Sequence, residues 1–252
     1  MDHGEFRHPR LATVYDVAYP WSVADDFFLS VVNERPGSRA LDLGCGTGRL
    51  AIAMAQAGHL VTGVDPAAAS LEIARRKPGA DAVTFLEGTS SVLASDSFDV
   101  ALMTSHVAQF VLDDDWPATL RDIHRALVPG GRLAFDTRDP RARGWEAWTP
   151  EQSRLNLHLP HGGSVVTWID VTSVDGPVDR PLVSFEHRYE FGDGQRLAAT
   201  ATMVFRSEQD VRASLAQAGF TVEAIYGGWQ RQPVGAADGE LLVLATAGPS
   251  AA

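Results

Sequence analysis

The chain has 252 residues, 45% hydrophobic and 21% charged, with a formal net charge of −11, which suits one large α/β domain or two small ones. With Lys77 the sole lysine and the arginines dispersed, the acidic balance argues against non-specific binding to nucleic acid or an anionic membrane, since both need clustered cations. There is no run of 18 apolar residues to span a membrane, and residues 1–5 lack the basic start of a signal peptide, so the cytoplasm is the expected location.

Residues 1–20 read as irregular and carry Tyr15, Asp16 and Tyr19; Tyr15 and Tyr19, with Trp21, either fold over a ligand or simply pack. Ser22 with Asp25 three positions on is a capping box, and Val23, Phe27 and Val31 follow at helical spacing until Pro36-Gly37. Strands are expected at 39–43, 60–64, 83–86, 98–103 and 132–136, alternating with helices near 46–57, 67–76 and 115–127. Short apolar strands between helices signify a parallel sheet covered on both faces. Pro129-Gly130-Gly131 turns the chain into the fifth strand.

The pattern then changes. Residues 145–162 read as irregular, with Trp145 and Trp148, and are followed by three strand-like runs at 164–174, 182–191 and 195–205 joined by hairpin-type turns. A second capping box at Ser207 and Asp210 opens a helix that Gly219 ends. Two last strands, 220–226 and 240–247, are expected as an antiparallel pair at a sheet edge. The expected fold is therefore a doubly wound, Rossmann-like α/β sheet of seven mostly parallel strands. An antiparallel β insertion at about 145–204 follows the fifth strand. With no Ser-, Gly- or Pro-rich linker, 1–252 reads as one domain.

The chemistry concentrates at Leu41-Asp42-Leu43-Gly44-Cys45-Gly46-Thr47-Gly48-Arg49-Leu50. A strand leading through spaced glycines into a helix N-terminus brings backbone N–H groups against a ligand. A dinucleotide loop is G-x-G-x-x-G; here Arg49 holds its third glycine position and the glycine falls at Gly48. Asp42, two before Gly44, would repel a pyrophosphate and suits a cation. Cys45, the only cysteine, makes no intrachain disulfide and reads as a small residue filling the turn.

The stretch resembles motif I of the class I S-adenosylmethionine-dependent methyltransferases, written (D/E)-x-G-x-G-x-G. The resemblance covers roughly 36–140 and 205–247 and implies that Asp42, Gly44, Cys45, Gly46 and Gly48 bind S-adenosyl-L-methionine. Asp65-Pro66 stands 21 positions beyond Gly44, at the tip of the second strand. In the family this is the ribose-binding acid, although Asp65 before Pro66 is also sound helix-capping chemistry. Gly88, Thr89 and Ser90 follow the third strand. Thr89 stands where the family often has an acid for the adenine amino group, a departure from the family's pattern that leaves a hydroxyl to bond there.

Ser105 and His106 follow the fourth strand, at the sheet end where ligands bind in doubly wound folds. The implied reaction is in-line methyl transfer to a small-molecule acceptor, with His106 the candidate base, since imidazole titrates near neutrality. A hydrogen-bonded structural histidine is the alternative. His158, His161 and His187 are lesser candidates at the acceptor. No metal is expected: Asp113-Asp114-Asp115 reads as a solvated acidic face at a helix N-terminus. Arg138 reads as a salt-bridge partner of Asp136 or Asp139, with pairing to an acidic substrate the alternative. The insertion is expected to wall the acceptor site, with Trp145, Trp148 or Trp168 lining it, or to form a dimer surface, so monomer and homodimer both remain. Competing readings are a non-catalytic S-adenosylmethionine-binding protein, a nucleic-acid methylase and a nicotinamide-dependent oxidoreductase. Thr104-Ser105-His106-Val107 lacks the (N/D)-P-P-(Y/F) motif of base-amino methylases, and Arg49 disfavours the last reading.

Overall fold

The computed structural model describes residues 4–249, apart from 161 and 238. Two short helices open it, α1 (Gly4–Arg7) and α2 (Pro9–Ala18), followed by α3 (Val23–Asn33). The expectation of an irregular N-terminus is thus corrected. Pro9 stands at the first turn of α2, and the His8 ring accepts the Arg10 amide as its N-cap, a start signal lying outside the usual Ser/Thr/Asp/Asn set. The Ser22/Asp25 capping box on α3 is present in both directions.

The alternating core follows as β1 (Arg39–Leu43), α4 (Arg49–Gln56), β2 (Leu60–Asp65), α5 (Ala68–Arg76), β3 (Val83–Glu87) and β4 (Phe98–Met103). Then come α6 (Val107–Phe110), α7 (Trp116–Ala126) and β5 (Leu127–Arg138). After the insertion, α8 (Glu208–Gln217), whose Ser207/Asp210 box is also formed, leads to two strands at the sheet edge. Numbered with the four insertion strands counted first, these are β10 (Phe220–Tyr226) and β11 (Glu240–Ala247). The seven strands lie in the order β10-β11-β5-β4-β1-β2-β3. The four pairings among β1–β5 are parallel, and β11 runs antiparallel to both β5 and β10.

Strand alternation sends neighbouring residues to opposite faces. Leu41, Ala101, Leu133 and Val243 pack with Trp116, Leu120 and Ile123 of α7 and Leu215 of α8. Ala40, Val100, Ala134 and Leu242 pack with Phe28 and Val31 of α3 and Ile52 and Met54 of α4. Helices cover both faces, which fixes the register of every central strand because a one-residue slip would exchange the two cores.

The insertion holds four strands: β6 (Leu155–His158), β7 (Ser164–Asp175), β8 (Leu182–Phe191) and β9 (Arg196–Val204), in sheet order β6-β7-β8-β9. The stretch read as irregular thus contains a strand, Leu155–His158. Its four residues are too few to show a period, and it exists because β7 offers an edge to pair with. This sheet carries the N-terminal segment: Leu11 and Val14 of α2 pack on Val165, Tyr189, Phe191 and Ala199. Arg10 lies 3.7 Å over the Phe191 ring and 2.7 Å from Asp193. Trp145 and Trp148 stack edge-on with Phe205 and Phe185 in a second apolar cluster. Among the described residues no helix is long and apolar enough to cross a membrane.

Candidate active site

A cavity of about 450 Å³ lies at the carboxyl ends of β1–β4, where the strand order reverses and open α/β sheets bind ligands. Its wall contains Asp42, Gly44, Cys45, Gly46, Asp65, Pro66, Gly88, Thr89, Ser90 and Ser105, ten of the twelve residues expected from sequence. Gly48 and His106 are the two that do not line it.

Gly48 has another task. It sits at φ +75°, and a Cβ there would come within 2.8 Å of the Phe85 ring and 2.9 Å of Ala74 Cβ, so it seats α4 closely on the sheet. Gly46, at φ +52°, is the reverse: its missing Cβ would meet nothing within 4 Å, so its backbone faces open space on the cavity wall.

Two carboxylates face this loop. Asp65 accepts the Gly46 amide (2.8 Å) on one oxygen and the Ala67 amide (2.8 Å) on the other, so it braces both the glycine loop and the start of α5. Those bonds leave lone pairs for further donors. Burial raises its pKa, and the two amides pull it back. Asp42 is 2% exposed and its Oδ1 has no partner. Burial, reinforced by the charge of Asp65, pushes its pKa to about 7. A carboxylate so placed lacks a cation. The same burial raises the Cys45 thiol well above its ordinary value, which leaves it an unreactive wall residue.

Of the residues read as a possible cover, Tyr15 lines the cavity; Phe6 and Arg7, which also line it from the N-terminal helices, were missed. Asp16 holds them there, accepting from Thr47 Oγ1 (2.6 Å) and pairing with Lys77 (2.5 Å). Ser70 donates to the Phe6 carbonyl at 3.0 Å, and Arg49 joins the Tyr19 carbonyl to Asp25. Arg49, conspicuous in the sequence only for not being glycine, is therefore a clasp. Also missed was Asp122 of α7, a wall residue whose Oδ2 accepts from Ser90 Oγ at 2.8 Å. It brings a carboxylate beside Thr89, where the family pattern expects an acid, and comes from a helix that no local motif connects to that loop.

Beyond the cavity wall a second centre forms. Ser105 (φ +56°) and His106 (φ +62°) are consecutive left-handed residues without glycine, a conformation costing roughly 1–3 kcal/mol each and found where surroundings hold it in place. The His106 amide donates to Asp136 Oδ2 (3.1 Å). Its Nε2 lies 3.0 Å from Glu240 Oε2 and 3.3 Å from Asp136 Oδ2. The three side chains offer donor atoms that all lie within 4.8 Å of one another, a set of the kind that can hold a metal ion. Asp136 is 1% exposed, its Oδ1 is unpartnered, and burial raises its pKa. Glu240 comes from β11, where its register partner is Arg138.

Several expectations are corrected here. Arg138 bonds neither Asp136 nor Asp139; it donates to Gln109 Oε1 (2.8 Å), while Asp139 pairs with Arg141. Asp113 is not a free acidic face: Arg180 (2.7 Å) and Arg206 (2.9 Å) both reach it, because the segment after α6 is pinned against the end of the insertion. His187 is buried between Thr167 and Tyr189, away from the cavity wall. His158 lies on β6, Trp168 stacks with Arg154, and His161 lies outside the described residues.

Residues 40–131 match the family model described as a methyltransferase domain. A cypemycin N-terminal methyltransferase of a Streptomyces species is 39% identical over 114 residues, 44% of this chain and 46% of that one. A ubiquinone biosynthesis O-methyltransferase of Pseudomonas aeruginosa is 36% identical over 116 residues, 42% of this chain and 47% of that one. The match thus spans about half the length of these curated relatives. Across the whole fold, a solved S-adenosylmethionine-dependent methyltransferase from Clostridium acetobutylicum superposes with a TM-score of 0.73 at 18% identity, covering 95% of this chain and 98% of that one.

Proposed function

We propose, from the premise that this chain carries a class I S-adenosylmethionine-dependent methyltransferase domain, that it is an enzyme transferring a methyl group from S-adenosyl-L-methionine to a small-molecule acceptor by in-line displacement. The observation that carries this is Asp42: a carboxylate on the cavity wall with a buried, unpartnered oxygen and a pKa pushed to about 7. S-Adenosylmethionine brings an ammonium and a sulfonium to such a site. A pyrophosphate would add negative charge to it.

In this reading Asp65 accepts from the ribose hydroxyls, and Gly44, Cys45, Gly46 and Pro66 close around the sugar and methionine parts. Gly48 acts behind the loop by seating α4. Gly88, Thr89 and Ser90, joined by Asp122, form the adenine side, and Ser105 stands toward the reacting end. The cofactor, when bound, supplies a methyl on a cationic sulfur, so the leaving group is already activated. The protein's contribution is alignment and exclusion of water, with proximity supplying roughly 7–11 kcal/mol of the barrier. The N-terminal helices cover the cavity. His106 takes the acceptor's proton, its imidazole held by Glu240 and Asp136.

The chain works as one domain, 1–252, in the cytoplasm, as a monomer or homodimer. The 145–204 insertion carries the N-terminal cover and walls the acceptor. The net charge of −11 supports a small acceptor over nucleic acid. A binding protein without turnover would need Asp42 and Asp65 but not the strained His106, which supports the catalytic reading.

The test is thermal unfolding with S-adenosylhomocysteine and, separately, NADH. A ligand at 100 times its dissociation constant stabilises by about 2.7 kcal/mol, a rise of roughly 5–10 °C for a domain this size. A rise with S-adenosylhomocysteine alone is expected. A rise with NADH alone, or with neither, overturns the reading.

A further inference from the structure

We propose that Asp136, Glu240 and His106 form a recognition site for a protonated amine, and hence that the acceptor is an amine presented as its ammonium. The inference rests on the methyltransferase reading for its consequence, but its observations are separate from those of the cofactor cavity. Two carboxylates, one 1% exposed, come together with an imidazole at the ends of β4, β5 and β11. Asp136 Oδ1 is buried and accepts no hydrogen bond. Gln109, fully buried on α6, gives its oxygen to Arg138 and leaves its own Nε2 without a partner. His106 lies between Ser105 and Val107, both on the cavity wall, and the Glu240 side chain keeps 13% of its surface exposed.

Charge selects the ligand. Asp136 and Glu240 contribute two negative charges and Arg138, the register partner of Glu240, one positive charge. Arg138 donates to Gln109 and Met203 and bonds neither carboxylate. These three side chains together carry a net charge of −1. A monocation brings it to zero, whereas a divalent metal would leave +1 in a buried place beside a guanidinium. A neutral hydroxyl acceptor would leave the negative charge unmatched. The two carboxylates fix the ammonium, and neutral His106 removes one N–H proton. The freed nitrogen lone pair forms the N–CH₃ bond as the S–CH₃ bond breaks. The sulfonium charge ends on the methylated amine, and the proton on the imidazole.

The test uses the full chain saturated with S-adenosylhomocysteine and two probes of matched shape, cyclohexylamine hydrochloride and cyclohexanol, titrated calorimetrically at pH 7. The amine is expected to bind at least tenfold more tightly than the alcohol. In Glu240→Gln that preference is expected to fall to about twofold or less, while S-adenosylhomocysteine still raises the melting temperature. Asp136→Asn serves as the second variant and is expected to act in the same direction. Equal affinity for the two probes, no binding of either, or a preference that survives both substitutions overturns the proposal. So does stoichiometric binding of Mn²⁺ that is lost in Glu240→Gln, which would reassign the cluster to a divalent ion. If S-adenosylhomocysteine itself fails to bind, it is the cofactor reading that falls.

Discussion

Two carboxylate pairs, Asp42 with Asp65 and Asp136 with the partly buried Glu240, are built differently. Asp42 and Asp65 stand on adjacent parallel strands, and Asp65 is braced by amides of the loop and helix that follow those strands. Asp136 and Glu240 stand on antiparallel neighbours more than a hundred residues apart, and apart from the His106 amide that Asp136 accepts, their company is side chains: His106, Arg138 and Gln109. Backbone amides cannot be mutated away or displaced, so the first pair offers a fixed polar surface for a ligand common to a whole family. Side chains change one at a time, so the second pair is suited to a ligand particular to this chain.

The comparison is broken most directly at Asp65. Replacing it by alanine removes an acceptor of charge-assisted bonds contributing roughly 1.5–3 kcal/mol each and unties Gly46. The affinity for S-adenosylhomocysteine measured by calorimetry should fall at least 100-fold.

Asp42 gives the next largest effect, with the opposite sign on stability. Its folded pKa of about 7 lies above the ordinary aspartate value of 3.8. The fold therefore binds its proton more tightly than the unfolded chain does, and the penalty for ionising it is absent below about pH 4, grows between pH 4 and 7, and is complete above pH 7. Asp42→Asn should therefore stabilise the ligand-free protein at pH 8 by about 2–4 kcal/mol, measured by urea unfolding, and leave it unchanged at pH 4. The same substitution should weaken S-adenosylhomocysteine binding.

Asp136→Asn sharpens the contrast between the centres. Burial and the charge of Glu240 raise this pKa as well, while His106 and Arg138 oppose the shift. The gain in stability at pH 8 should be in the same direction, by the same unfolding measurement.

The smallest effect concerns the cover. Asp16→Asn keeps the shape but loses the charge facing Lys77 and weakens the bond from Thr47. A partly exposed pair of this kind contributes about 1 kcal/mol, so the affinity for S-adenosylhomocysteine should fall about threefold to tenfold, chiefly through faster dissociation in a stopped-flow measurement.

Much of this was legible before the structure. The glycine loop, Asp42, Asp65 and Ser90 are cavity residues because strand, turn and helix are consecutive there, and spacing along the chain translates directly into position. The capping boxes at Ser22 and Ser207 set helix starts for the same reason. Arg49 and Asp122 were not legible as site residues, because their partners, Tyr19 and Asp25 for one and Ser90 for the other, are set by how helices land on the loop. Arg138 was misjudged because its nearest acids in sequence are not its nearest acceptors in space.

By itself the sequence determined the doubly wound sheet, the glycine loop and the two acids that face it. Each of these rests on periodicity and short-range spacing, which a single strand–turn–helix unit converts into geometry. Only the tertiary structure decided that β11 would lay Glu240 opposite Arg138, that His106 would turn toward Asp136, and that the insertion would carry the N-terminal helices over the cavity. Those contacts join segments 30 to 185 residues apart. They arise from strand pairing and from burial of apolar faces, forces that choose partners by fit and leave no periodic mark along the chain.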